Sequence, residues 1–152
     1  METFQHILID WGYWGIFVSG AVAGSVLPFS SEAVLLGLLG LGLDPAGLLI
    51  AATAGNTLGG MTCYWIGMLG NRSHIRRIGI SEERLVRAER FLAGRGAAMA
   101  FFAFLPVIGS AISVVLGMMR SNPRIVVAAM ALGKALRYGV LILIARGLFA
   151  AL

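Results

Sequence analysis

All four prolines of this chain fall into two pairs at one offset, Pro28 with Pro106 and Pro45 with Pro123, each 78 residues apart. The same offset pairs Leu27 with Leu105, Ala33 with Ala111, Leu38 with Leu116, Gly55 with Gly133 and Ile66 with Ile144. It also pairs the polar residues Asp44 with Asn122 and Asn56 with Lys134. Apolar coincidences are common in a chain rich in Leu, Ala and Gly, but composition does not align the prolines and the polar pairs. Two copies of one module within a single membrane domain is the economical reading, with repeat 1 at about residues 25–70 and repeat 2 at about 97–150.

Why a membrane domain follows from composition. Hydrophobic residues make up 59% of the 152 and charged residues 12%, outside the range of soluble domains. Residues 11–31, 45–71 and 96–119 carry no charge, and Ile125–Leu152 carries three. Each approaches or exceeds the roughly 20 apolar residues of a spanning helix. The N-terminal flank METFQHILID holds two acids and no Lys or Arg, so the first stretch reads as a retained span and not a cleavable signal. The single Cys63 allows no intrachain disulfide and reads as a small core residue.

Ile7 to Leu43 is too short for two full spans and a turn: its 37 residues are broken by Pro28 and by Ser30, Ser31 and Glu32. One span followed by a re-entrant hairpin fits. Irregular backbone at membrane depth survives only where it is buried in protein or faces a wet cavity, so a hairpin there marks a site. A hairpin followed by one full span crosses an odd number of times, and the second copy must then point the opposite way. The expected fold is an all-α integral membrane protein. It is an inverted repeat of two re-entrant helical hairpins broken at Pro28 and Pro106, each followed by a transmembrane helix, plus an N-terminal transmembrane helix and a cytoplasmic amphipathic helix.

That last helix belongs to the linker at about 71–96, which holds seven of the twelve basic residues. Ser81 is placed to cap a helix whose first turn carries Glu82 and Glu83. Leu85, Ala88 and Leu92 share one face, and Arg84, Arg87 and Arg90 fan over the other. The positive-inside rule makes the Arg-rich 71–95 linker cytoplasmic. One span before the first hairpin then sets the N-terminus in the cytoplasm and the C-terminus outside. Without interleaved aromatics the basic run reads as a headgroup-contacting loop, with no nucleic acid as partner.

Polar groups in apolar stretches are the candidates for chemistry. A carboxylate within a membrane costs on the order of 2–3 kcal/mol unless paired or hydrated, so Glu32 in VLPFSSEAVLLG needs a partner. Lys134 and Arg137 in ALGKALRYG share one helix face, and Glu32 is expected to pair with one of them across the repeat interface. Such charges read either as a site or as a structural salt bridge that snorkels to headgroup level. Asn56 lies in AGNTLGG, whose glycines allow close helix approach, and is placed either to bond an unwound hairpin or to contact a ligand. Ser30, Ser31 and Ser110 are suited to satisfying broken-helix carbonyls or lining a polar path. His6 and His74 lie far apart, and no metal or other cofactor is expected. Trp11, Tyr13, Trp14, Tyr64 and Trp65 read as interface anchors.

The strings LPFSSEAVLLGLLGLG, AGNTLGGMTCYWIGMLG, FLPVIGSAISVVLGMM and ALGKALRY, with the Arg-rich linker between them, resemble the small YqaA-like branch of the DedA superfamily, also called the VTT or SNARE-associated family. The resemblance covers nearly the whole chain. It implies an inverted repeat of re-entrant hairpins and a role in moving lipids across a bacterial inner membrane: undecaprenyl phosphate, phosphatidylethanolamine or other phospholipids, with dependence on the proton motive force proposed for some members. Larger members carry an acid shortly before the first hairpin proline, where this chain has Ala23 or Gly24, and only the acid after it is matched, by Glu32. Their arginines beside the second hairpin proline are Ala103 and Gly109 here.

The function expected is translocation or scrambling of an anionic lipid between leaflets by a protein that is not an enzyme. The substrate-binding residues are Glu32, Lys134, Arg137, Asn56, Ser30, Ser31 and Ser110. The partners are membrane lipids bearing an anionic headgroup or lipid phosphate, and a second copy of the chain in a homodimer. The alternatives are a proton-coupled ion or small-solute transporter using the same hairpins, and a membrane scaffold whose hairpins are packed shut.

Overall fold

Asp44 and Asn122, partners at the 78-residue offset, do the same local work. The Asp44 carboxylate accepts from the Gly47 main-chain N–H at 2.8 Å, and the Asn122 side-chain oxygen accepts from that of Arg124 at 3.0 Å. A proline follows each cap at the first helical position, where its missing N–H costs nothing. These caps start the two long helices of a computed structural model that describes residues 2–25, 27, 29–105 and 108–152, with the side chains of residues 2 and 4–9 left aside. The expected hairpin breakers, Pro28 and Pro106, lie outside the described residues.

The order is α1 (Glu2–Gly24), α2 (Ser31–Gly40), α3 (Pro45–Met68), α4 (Arg72–Arg77), α5 (Glu82–Leu92), a 3₁₀ segment (Ala97–Phe104), α6 (Gly109–Met118) and α7 (Pro123–Ala151). Among the described residues there is no strand. The ten-residue helices α2 and α6 start 78 positions apart, as do α3 and α7. At about 1.5 Å per residue α2 and α6 are each about 15 Å long, half the hydrocarbon thickness of a bilayer. Among the described residues, α7 alone is both long and apolar enough to cross a membrane. The 24 residues of α3 suffice in length, but five glycines, three threonines and Asn56 dilute its apolarity.

Helix directions follow from the contacts. Gly12 lies against Leu43, Tyr13 against Gly47, Phe17 against Gly55 and Ala21 against Gly59, so α1 runs parallel to α3. A Cβ at Gly55 or Gly59 would meet the main chain of Phe17 or Ala21, which is why glycine stands at this crossing. Helix α7 runs the other way. Met130 packs at Gly60, Lys134 reaches Asn56, and Ile142 and Ala145 join Leu48 and Ala52 in one apolar cluster with Ile16, Leu35 and Leu39. A second cluster at the opposite end gathers Tyr64, Ile75, Leu85, Leu92, Ile112, Leu116 and Val126, with α4 and α5 closing it.

Two expectations are corrected. Among the described residues no separate descending arm lies between α1 and α2. Helix α1 stops at Gly24 beside Asn56, about midway along α3, and the chain then turns back into α2, so α1 itself is the descending arm. Both chain ends lie at the end of the bundle opposite α4 and α5. Tyr64 is also no interface anchor: it is buried, and its hydroxyl donates to the Ser121 carbonyl. Trp11, Trp14 and Trp65 are more than half exposed. They belong to an apolar exterior that includes Val18, Ile50, Leu58, Leu132, Leu136, Val140, Leu143 and Leu148.

Candidate functional site: an ionic cleft between two equivalent turns

A cleft of about 310 Å³ opens between the start of α2 and the start of α6. One wall is Ser25, Leu27, Ser31 and Glu32, and the other is Ala103, Leu105, Gly109 and Ser110, which are the same four positions shifted by 78. Asn56 from α3, Arg137 from α7 and Arg84 from α5 complete it, and the exposed Leu27 and Phe29 form an apolar rim. The chemistry of the walls is unequal. Ser31 and Glu32 on one side stand opposite Gly109 and Ser110 on the other, so the carboxylate has no counterpart.

Of the two pairings left open by the sequence, Glu32 makes the one with Arg137. The pair is partly buried, with 35% of the Arg137 side chain and 27% of Glu32 exposed. A second Arg137 nitrogen donates to the Phe104 carbonyl at 2.8 Å, so one guanidinium ties α7 to the start of α2 and to the end of the 3₁₀ segment.

Lys134 does not line the cleft. It is 3% exposed, and its ammonium donates to the Asn56 carbonyl behind the cleft wall. The Asn56 side chain faces the other way. Its Nδ2 donates to the Tyr138 hydroxyl at 2.6 Å, and that hydroxyl shares a further 2.6 Å hydrogen bond with Ser31 Oγ. Tyr138 is 1% exposed and Ser31 equally so, which makes this a dry joint between α2, α3 and α7. Ser30 sits at the exposed start of α2, where its hydroxyl accepts from the Ala33 N–H at 3.4 Å, and does not line the cleft. Ser110 does line it, in the first turn of α6, a helix whose N-terminus has no side-chain cap.

Two residues of the site escaped the sequence reading. Tyr138 follows Lys134 by four and therefore shares its helix face, a signal the sequence carried. Arg84 was placed on the solvated side of the linker helix, and nothing local in the sequence says that α5 packs close enough to α6 to bring it to the cleft.

An apolar exterior around a charged and hydrogen-bonded interior defines an all-helical membrane protein. Residues 9–146 match the VTT domain, and the chain belongs to that family, the DedA superfamily, as a YqaA-like protein. It is 33% identical over 126 residues to the inner membrane protein YqaA of Escherichia coli, covering 82% of this chain and 84% of that one. It is 34% identical over 131 residues to the membrane protein YkoX of Bacillus subtilis, covering 80% of this chain and 56% of that one. With the membrane protein slr0232 of Synechocystis the identity is 36% over 110 residues, covering 67% of this chain and 50% of the relative. No solved structure matches.

Proposed function

We propose that the cleft holds the phosphate of an anionic lipid headgroup and lets it pass between leaflets, the acyl chains staying in the bilayer. On this reading α3 and α7 cross the membrane in opposite directions. The two halves ending in α2 and α6 enter to mid-depth and return, one from each side, as re-entrant hairpins of an inverted repeat. The protein is a carrier and not an enzyme, seated in the bacterial inner membrane with the α4–α5 end in the cytoplasm, where seven arginines satisfy the positive-inside rule. Lipid headgroups are its partners, and a second copy of the chain is compatible with so small a carrier.

The observation that carries the reading is the Glu32–Arg137 pair in an open cleft halfway along the two long helices. An ion pair at that depth needs water or a ligand to offset its desolvation. Arg137 offers a planar fork suited to phosphate, and Glu32 competes for it, so the pair closes the empty site and opens as an anion arrives. The N-termini of α2 and α6 both begin at the cleft and add partial positive charge. A scaffold with its hairpins packed shut would have no such cleft.

The test is leaflet exchange of labelled phospholipids and of undecaprenyl phosphate in liposomes containing the purified protein, beside an Arg137→Gln variant. Exchange by the wild type that falls at least about tenfold in the variant is the expected result, the loss of one charge-assisted contact. Folded wild-type protein that exchanges no lipid sinks the reading and leaves the solute-transporter alternative.

A further inference from the structure

Within the cleft the charges do not balance. Its ionisable lining is Glu32, Arg84 and Arg137, and the first and last of these neutralise each other. Arg84 is the remainder. Its neighbours on α5 are committed elsewhere: Glu82 and Glu89 both pair with Arg72, and Glu83 pairs with Arg87. Among the described residues Arg84 makes no ion pair. The cleft thus carries one positive charge with the internal pair intact, and that charge stands on the wall supplied by the α4–α5 end of the bundle.

Resting on the function proposed above, we propose that Arg84 is the ligand's first anchor and that it selects a singly charged phosphate diester approaching from the α4–α5 side. A diester monoanion cancels the Arg84 charge before the Glu32–Arg137 pair has to open. A monoester, doubly charged near neutrality, leaves one negative charge over unless Glu32 gives up its hold on Arg137. The residue is a specificity determinant carried by a different element from those that build the hairpins.

The experiment is a binding titration of the full-length protein in a non-ionic detergent. The probes are short-chain phosphatidylglycerol and short-chain phosphatidic acid, with dimethyl phosphate and inorganic phosphate as the lipid-free diester and monoester. Wild type, Arg84→Gln, Arg84→Lys, Arg137→Gln, Glu32→Gln and Arg87→Gln are compared; Arg87 lies on the same helix, pairs with Glu83 and does not line the cleft. Phosphatidylglycerol binding should weaken about tenfold in Arg84→Gln, recover in part in Arg84→Lys and stay unchanged in Arg87→Gln. The wild type should favour diester over monoester, and Glu32→Gln should narrow that preference by freeing Arg137. Dimethyl phosphate binding as tightly as the lipid would show that the phosphate alone is recognised and a lipid is not required. Equal losses in Arg84→Gln and Arg87→Gln would reduce the effect to bulk surface charge and overturn the proposal. Full binding by Arg84→Gln with loss in Arg137→Gln would also overturn it, while leaving the proposed function standing. A wild type that binds none of the four probes would remove both.

Discussion

The Lys134 ammonium donates a hydrogen bond to the main-chain carbonyl of Asn56, the residue at its own position in the other copy of the repeat. On the inverted repeat proposed above, equivalent positions touch only where the pseudo-twofold axis passes, which is then the crossing of α3 and α7. Lys134 joins the halves there. Its ammonium also lies beside Gly60, against which the Met130 thioether packs. Lys134→Met keeps most of the side-chain volume and removes a buried charge, and replacing buried ions by apolar groups of similar size is often neutral or stabilising. Lys134→Ala leaves a void and is expected to cost about 2–3 kcal/mol. Thermal unfolding in detergent should therefore rank methionine at or above wild type, with alanine clearly below. A methionine variant as unstable as the alanine one would show that the charge itself holds the crossing.

Glu32 and Arg137 are less buried than Lys134, and their mutual coupling should lie between the surface and the buried limits, about 1–2 kcal/mol in a double-mutant cycle of Glu32→Gln and Arg137→Gln. Arg137→Gln should be the costlier single change, because the Phe104 carbonyl loses its donor as well. Equal costs for the two singles and no coupling would mean that the pair does not persist in solution.

Much of this local structure is written in the sequence. Asp44–Pro45 and Asn122–Pro123 are helix starts on their face, and Ser81 with Glu82 and Glu83 announces α5, whose buried residues are Leu85, Ala88 and Leu92, as their spacing requires. The need of Glu32 for a cationic partner was equally legible, since hydrocarbon leaves a carboxylate few alternatives. What stayed hidden depends on where helices end in space. Pro28 announces a break just after Gly24, but nothing local says that α1 ends level with Asn56, since that depends on how α1 packs along α3. Tyr64 has the residue type of an interface anchor, yet its neighbours on α6 and the Ser121 carbonyl make it core. Arg84 differs from Arg87 and Arg90 only in which wall its helix face meets.

Tyr138 supplies one hydroxyl to two buried partners, Ser31 and Asn56. Tyr138→Phe strands both, and a buried polar group left unpaired costs about 1–3 kcal/mol. Ser31→Ala removes one partner along with its need, so it should cost less, and the double variant should lose less than the sum of the singles. Additive losses would show that water or another group takes over the vacated bond. Because Ser31 precedes Glu32, Tyr138→Phe should also loosen the start of α2 and weaken ligand binding, where a merely peripheral tyrosine would change stability alone.

Two glycines separate packing from propensity. A Cβ at Gly59 would meet the Ala21 carbonyl and the Gly24 main chain, whereas nothing lies within 4 Å of a Cβ at Gly139. Gly59→Ala should cost about 1–3 kcal/mol by pushing α1 off α3, and Gly139→Ala should be neutral or stabilising by up to about 1 kcal/mol. The same methyl group thus acts with opposite sign at two helical sites, and matched melting temperatures for the two variants would refute the close packing of α1 on α3.

The last prediction concerns sidedness. Because α1 turns back at Gly24 and α3 and α7 then run in opposite directions, Asp10 and Leu152 lie at one end of the bundle and Arg77 at the other. A chain with a full span ahead of its first hairpin would instead separate Asp10 from Leu152. In a Cys63→Ala background, single Asp10→Cys, Arg77→Cys and Leu152→Cys substitutions can be probed with a membrane-impermeant maleimide, first on intact cells and then after permeabilisation. Positions 10 and 152 should label in intact cells and position 77 only after permeabilisation, with the arginine-rich end inside as the positive-inside rule requires. Labelling of 10 and 152 from different sides would mean that α1 crosses the membrane after all, and the cleft could then no longer be the meeting point of two half-depth turns.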